Sequence, residues 1–264
     1  MLFLLSPAKT LDYDTPVPKP VLKKATEPAY TAQAAQLIDV LRQQSVSDIG
    51  WLMDLSEKLA TLNAQRYADW QAAATPQNSK PAVLAFDGDV YDGLQAKTLS
   101  TADLNWAQQH LVILSGLYGV LRPLDRLQPY RLEMGTPLAN PRGKDLYAWW
   151  GDTLAQHLNN LQAEEAEPLV VNLASVEYAR AALRPALRAR VVDCVFEETN
   201  PDGSHQLISF FAKKARGLMA RYAVERRVKT VRALRNFDSG GYVLDGKASS
   251  AERLVFRRPR PSAG

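Results

Sequence analysis

A single cysteine, Cys194, stands among 264 residues, inside the apolar run Val191 to Phe196. No intramolecular disulfide framework can form, and a reducing compartment fits best. Histidine is almost as scarce. His110, His157 and His205 lie too far apart for HExxH or zinc-finger spacing, and one thiol builds no thiolate cluster. No resident metal and no cofactor is therefore expected. Long apolar runs are missing too: Leu2 to Leu5 is too short for a signal-peptide core and has no basic segment before it. No later run approaches the ~20 residues of a membrane span, so a cytoplasmic protein with no membrane partner is expected. Net charge is also small, +4 from 32 Lys+Arg against 28 Asp+Glu. It hints at anionic partners only where the charges cluster.

What is present is average for a folded protein, 46% hydrophobic and 23% charged residues, which argues against disorder. One core can grow to roughly 250–300 residues, so a single domain over residues 1–258 is expected, followed by a disordered tail, 259–264. Four short apolar runs end in small polar residues: Leu2 to Leu5, Ala82 to Phe86, Leu111 to Leu114 and Leu169 to Leu173. Such runs read as strands buried on both faces. The expected class is α/β, a compact domain with a central, mostly buried mixed sheet flanked by helices. Ligands in such sheets collect beyond the C-terminal strand ends, so the loops Ser6 to Thr10, Asp87 to Gly93, Ser115 to Gly119 and Ala174 to Tyr178 are expected to share a crevice. Helical spacing marks Thr31 to Gln44, Leu146 to Leu161 and Phe211 to about Val228. Arg188 to Glu197 and His205 to Phe210 read as a strand pair, and Gly241 to Asp245 with Arg253 to Arg257 as a last hairpin.

Three constellations carry possible chemistry. Between Phe211 and Arg235 there are nine basic residues, among them Lys213, Lys214, Arg216 and Arg221, against Glu225 alone. Gly217 and Ala220 lie between them, and small residues there would let a phosphate backbone come close. The alternative is a solvated helix face, but such faces usually mix signs. The segment Val46 to Trp70 reads as two helices capped by Ser45 or Ser47 and by Ser56. Their tight turn would aim free backbone N–H groups and Lys58 at a phosphate; an ordinary packed helical pair is the alternative. Finally, Ser115 to Gly135 is a long, aperiodic loop after a buried strand, a common setting for binding. Arg122 and Arg131 could hold a phosphate or carboxylate there, Asp125 and Glu133 could do acid–base work, and Tyr118 or Tyr130 could stack on a base. An internal arginine–carboxylate network would use the same residues. Gly116 and Gly119 fit neither a Walker loop nor a Rossmann fingerprint. Ser6 with Lys9, and Ser175 with Glu177 and Tyr178, are weaker candidates for nucleophilic chemistry.

Several blocks in order resemble the YaaA family of bacterial proteins: Ser6 to Tyr13, Gly88 to Tyr91, Leu114 to Gly135, Arg142 to Tyr147, Asn172 to Tyr178 and Ala212 to Met219. The resemblance runs from Met1 to about Arg257. It implies a cytoplasmic protein of the peroxide stress response that limits free iron and its damage to DNA. It also implies a family-specific mixed α/β fold that binds duplex DNA through a basic cleft and a helix-hairpin-helix-like element, placed here on residues 46–70. That element lacks the usual hairpin glycines, and no catalytic residue carries over.

Two functions follow as expectations. One is DNA binding, with Lys58, Arg122, Arg131, Lys213, Lys214, Arg216 and Arg221 as phosphate contacts. The other is an enzyme acting on a nucleobase, nucleotide or damaged base, with Lys9, Asp125 and Glu133 as candidate catalytic groups.

Overall fold

The computed structural model describes residues 1–261. Eight strands form the main sheet: β1 (Leu2–Leu5), β2 (Leu111–Ser115), β3 (Gly119–Leu121), β4 (Leu169–Leu173), β5 (Arg190–Thr199), β6 (His205–Gln206), β7 (Val243–Leu244) and β8 (Arg253–Pro259). Their order is β7-β8-β5-β4-β1-β2-β3, with β6 paired to β5. The five inner strands, from β8 to β2, are mutually parallel, and β3, β6 and β7 are antiparallel additions. β1 and β2 are buried at every position. Each of their leucine, isoleucine, valine and phenylalanine side chains therefore contributes about 1.5–3 kcal/mol of burial. This is why their sequences are unbroken apolar runs rather than alternating ones.

The helices that matter for function are α1 (Thr31–Arg42), α2 (Val46–Met53), α3 (Glu57–Asp69), α4 (Asp89–Leu94), α5 (Thr101–His110), α6 (Leu146–Trp150), α7 (Thr153–Leu161), α8 (Val176–Ala182) and α9 (Ser209–Arg226). Their apolar faces and the sheet form one continuous core, from Met1 to Phe256. No helix among the described residues is long and apolar enough to cross a membrane.

Three expectations need correction. Ala82 to Phe86 is not a strand of the main sheet. Ala82–Ala85 forms a single helical turn after Pro81, and only Phe86–Asp87 is extended, paired with Thr10–Leu11. The N–H groups of Ala82 and Val83 donate to the carbonyls of Asp125 and Pro123. A fully buried run carries no periodicity to separate helix from strand. Leu146 to Leu161 is two helices, because Gly151 adopts φ +47° and ψ −129°, which breaks the helical turn between α6 and α7. The expected tail begins too early. Pro259 belongs to β8 and the Arg260 N–H donates to the Thr199 carbonyl at 2.9 Å; residues 262–264 lie outside the described part.

Candidate functional site

Beyond the C-terminal ends of β1 and β4 lies a cleft of about 500 Å³. Its walls come from the loop after β1 (Ser6 to Thr10), the start of α4 (Asp87 to Val90), the returning loop Tyr130 to Glu133, the start of α8 (Ser175, Glu177, Tyr178) and the first turns of α9 (Lys213, Arg216). At its base the Ser6 hydroxyl accepts a hydrogen bond from the Ser175 N–H at 2.8 Å and donates to the Ser175 hydroxyl at 3.3 Å. Tyr91 donates to the Ser6 carbonyl at 3.1 Å. These bonds fix the two loops that diverge from neighbouring strands.

Of the polar candidates Lys9, Arg122, Asp125, Arg131 and Glu133, three meet there. Lys9 Nζ sits 2.9 Å from Glu133 Oε2, and Arg131 donates to Glu133 Oε1 at 3.1 Å. With one carboxylate held by two cations, the Glu133 charge is compensated, while Lys9 stays nearly two-thirds exposed and reachable. Glu177 accepts from the Gly135 N–H at 2.8 Å, and Lys213 lies 3.8 Å from Asp89. Arg216 is half-buried. Among the described residues it makes no hydrogen bond or ion pair, and desolvation lowers its pKa.

Arg122 and Asp125 are not in the cleft. β3 runs antiparallel to β2, so it carries the chain to the opposite end of the sheet before the loop returns at Tyr130. There Asp125, 3% exposed, accepts from the Thr26 hydroxyl at 2.6 Å and from the Arg122 N–H at 2.7 Å, and the Arg122 guanidinium donates to the Gln108 carbonyl. Burial pushes the Asp125 carboxyl up to about 6. These residues tie down a loop, and neither reaches a ligand in the cleft. Ser115 to Gly119 is likewise beneath the site: the Ser115 and Tyr130 hydroxyls share a 2.6 Å hydrogen bond, and the Trp150 indole donates to the Gly116 carbonyl. Tyr118, which accepts from the Trp70 indole at 2.8 Å, is fully buried and offers no stacking face to solvent.

The basic segment divides as well. Arg221 donates to the carbonyls of Leu94 and Gln95 and to Thr98, and pairs with Glu225 at 2.8 Å. Arg227 pairs with Asp103 at 2.7 Å. Lys214 is exposed and without a partner among the described residues, as are Arg226, Lys229, Arg232 and Arg235. Gly217 and Ala220 do not open this helix to a phosphate backbone. Both are buried, and a Cβ on Gly217 would stand 1.8 Å from the Val90 carbonyl of α4. The small residues serve a close helix crossing.

Lys58 is exposed at the start of α3, but its neighbourhood is acidic. Asp48, Asp54, Glu57 and Asp69 outnumber Lys58 and Arg66 within residues 45–70. Of the two expected caps for α2, Ser45 serves, in a capping box with Asp48, whereas Ser56 makes no side-chain cap. The pair supports the cleft wall instead: Tyr67 donates to the Arg131 carbonyl and Trp70 to Tyr118.

Glu177 is a weaker candidate from sequence, and the Asp87 to Gly93 loop is expected in the crevice, but the sequence singles out neither Asp87 nor Asp89 as a site residue. Their signal is position, just after the apolar run Ala82 to Phe86. Among the described residues no group of three or more His, Cys, Asp or Glu side chains is placed to hold a metal ion.

The family model described as peroxide stress protein YaaA matches residues 1–248. The chain belongs to this family. A UPF0246 protein of Leptothrix cholodnii is 62% identical over 258 residues, 98% of each chain. One from Variovorax paradoxus is 58% identical over 261 residues, covering 98% of this chain and 99% of its own, and one from Bordetella avium is 57% identical over 258 residues, covering 98% and 99%. Membership gives the chain an oxidative-stress context; the family description states no ligand.

Proposed function

We propose that this protein binds duplex DNA through phosphate contacts as its part in the peroxide stress response, and that it limits iron-dependent damage at the DNA rather than by storing iron. One observation carries the reading. Of the nine basic residues between Phe211 and Arg235, Lys213, Arg221 and Arg227 have an acidic partner. Lys214, Arg216, Arg226, Lys229, Arg232 and Arg235 have none among the described residues, and they run from the cleft to beyond the C-terminal end of α9. Cations not neutralised within the fold are available to release counterions from a polyanion. Lys58 ranks below them because of its acidic neighbours.

Neutralising Lys214, Arg226, Lys229, Arg232 and Arg235 together should weaken binding to every duplex tested and flatten the slope of log affinity against log salt by up to about 4.5 units, about 0.9 per lost contact. Lys58→Ala should have a smaller effect. Unchanged affinity and slope in variants whose circular dichroism matches the parent would sink the DNA reading.

A second reading, chemistry on a nucleobase or nucleotide, is favoured by the cleft itself, which brings Lys9, Arg131 and Glu133 together at the strand ends.

A further inference from the structure

The sheet changes direction at β1. The chain leaves β1 for β2 on one side and, after β3, enters β4 on the other. The loops that follow β1 and β4 therefore part over the strand ends, the place where open parallel sheets bind ligands. The cleft of about 500 Å³ lies there, within the ~300–1,000 Å³ of small-molecule sites.

Most of its charged lining is already engaged, through Lys9 and Arg131 on Glu133, Lys213 on Asp89, and Glu177 on the Gly135 N–H. Two groups are not. Neither the Arg216 guanidinium nor the Asp87 carboxylate makes a hydrogen bond or ion pair among the described residues, and they do not pair with each other. A half-buried cation without a counter-charge is costly. Desolvation is the cause of the lowered Arg216 pKa, so an anion reaching it gains more than it would at the surface. The cleft thus suits a molecule that carries both an anionic group, for Arg216, and N–H or O–H donors, for Asp87. A free amino acid meets that description but leaves most of the volume unfilled.

We propose that the cleft is a binding site for a single nucleotide, its phosphate held by Arg216 and its base or sugar donors by Asp87. The proposal deepens the DNA-binding reading and rests on it for one of two sources with the same chemistry. The nucleotide is either a free nucleoside monophosphate or one unit turned out of a strand held along α9. Extrusion costs a few kcal/mol, least at a mispaired or damaged base.

The test titrates the full chain by calorimetry with deoxynucleoside 5′-monophosphates, the matching nucleosides, inorganic phosphate and glutamate. In parallel, a duplex carrying one mispaired 2-aminopurine, which brightens when unstacked, is followed by fluorescence. Saturable one-to-one binding of a monophosphate is expected, with nucleoside, phosphate and glutamate at least tenfold weaker. Arg216→Gln should raise the monophosphate Kd at least tenfold and leave the nucleoside unaffected; Arg216→Lys should recover part of the loss. Asp87→Asn, which changes almost no volume, should weaken both and serves as the probe if Arg216→Gln does not fold. Brightening of the duplex probe that Arg216→Gln abolishes assigns the strand source; monophosphate binding without brightening assigns the free nucleotide. The proposal is overturned if neither signal appears, if glutamate binds best, or if folded Arg216→Gln and Asp87→Asn bind as the parent does. Duplex binding without either nucleotide signal leaves the DNA reading standing and removes the cleft site. Monophosphate binding that survives loss of duplex binding does the reverse.

Discussion

Asp125 illustrates how position overrides residue type. An Asp beside an Arg in a glycine- and proline-punctuated loop has the composition of an acid–base site, and the sequence also allowed an internal network. Its two short hydrogen bonds, to Thr26 and to the Arg122 N–H, decide for the network. The same burial makes it a pH-dependent element of stability. Its folded pKa of about 6 lies above the ~3.9 of an unfolded Asp. Between these values the folded chain keeps a proton that the unfolded chain has released, so Asp125 makes the protein less stable as pH rises from about 4 to about 6. Groups such as Asp12 and Asp103, whose pKa is lowered by Lys97 and by Ser100, act in the opposite sense, losing stability as pH falls below the usual carboxylate range. The test is therefore a difference. The stability of Asp125→Asn relative to the parent should rise with pH across this window by about 2 kcal/mol and be flat above it. Denaturant titrations from pH 4 to 7 measure this directly, and a pH-independent difference would mean that Asp125 titrates normally.

At the scale of elements, the crossing of α4 and α9 decides most about the site, since both helices supply cleft residues at their N-terminal turns. The contact is made through glycine on both sides. A Cβ on Gly93 would stand 2.1 Å from the Lys214 carbonyl, and one on Gly217 1.8 Å from that of Val90. Alanine normally favours a helix by about 1 kcal/mol over glycine. Here backbone atoms block it, so Gly217→Ala should instead destabilise by about 1–3 kcal/mol through overpacking. Gly246→Ala, with nothing within 4 Å of the added Cβ, should leave the melting temperature unchanged. Equal melting temperatures for the two variants would show that the helices part without cost. The small residues of α9 were visible in the sequence, but what approaches them was not. A helix backbone and a phosphate backbone make the same demand for missing side chains, and only the position of α4 separates them.

For the molecule as a whole, the last strand is an interior one. β8 pairs with β5 over Arg253 to Pro259 and also carries β7, so the chain's final described elements complete the sheet. The family match ends at residue 248, before β8 begins. Leu254, Val255 and Phe256 are each no more than 2% exposed, so a chain cut after Ser250 should bare the core face of β5 and collect in inclusion bodies. Soluble truncated protein with the parent's circular dichroism would contradict this. The eight-stranded sheet also explains why the crevice was partly foreseen. The loops after β1 and β4 start side by side, joined at their base by Ser6 and Ser175, because the two strands are neighbours and parallel, whereas the loop after β2 is covered by Tyr130 to Glu133.

Legible in the sequence were the class of fold, three of the buried strands (β1, β2 and β4), the hairpin of β7 and β8, the helix α9 and the family, because each is written in local periodicity or in contiguous blocks. It also placed Lys9, Arg131, Glu133, Lys213 and Arg216 among the candidates. Tertiary structure alone decided that these five share a cleft while Arg122 and Asp125 lie at the other end of the sheet, and which of the nine basic residues keep an unpaired charge. The physical reason is that pairing depends on distances across the fold. Arg221 lies against the segment from Leu94 to Thr98, and Arg227 meets Asp103, each more than a hundred residues away along the chain. Within the segment, Glu225, four residues on, marks Arg221, but nothing local separates Arg227 from Arg216, which has no such partner among the described residues and lines the cleft.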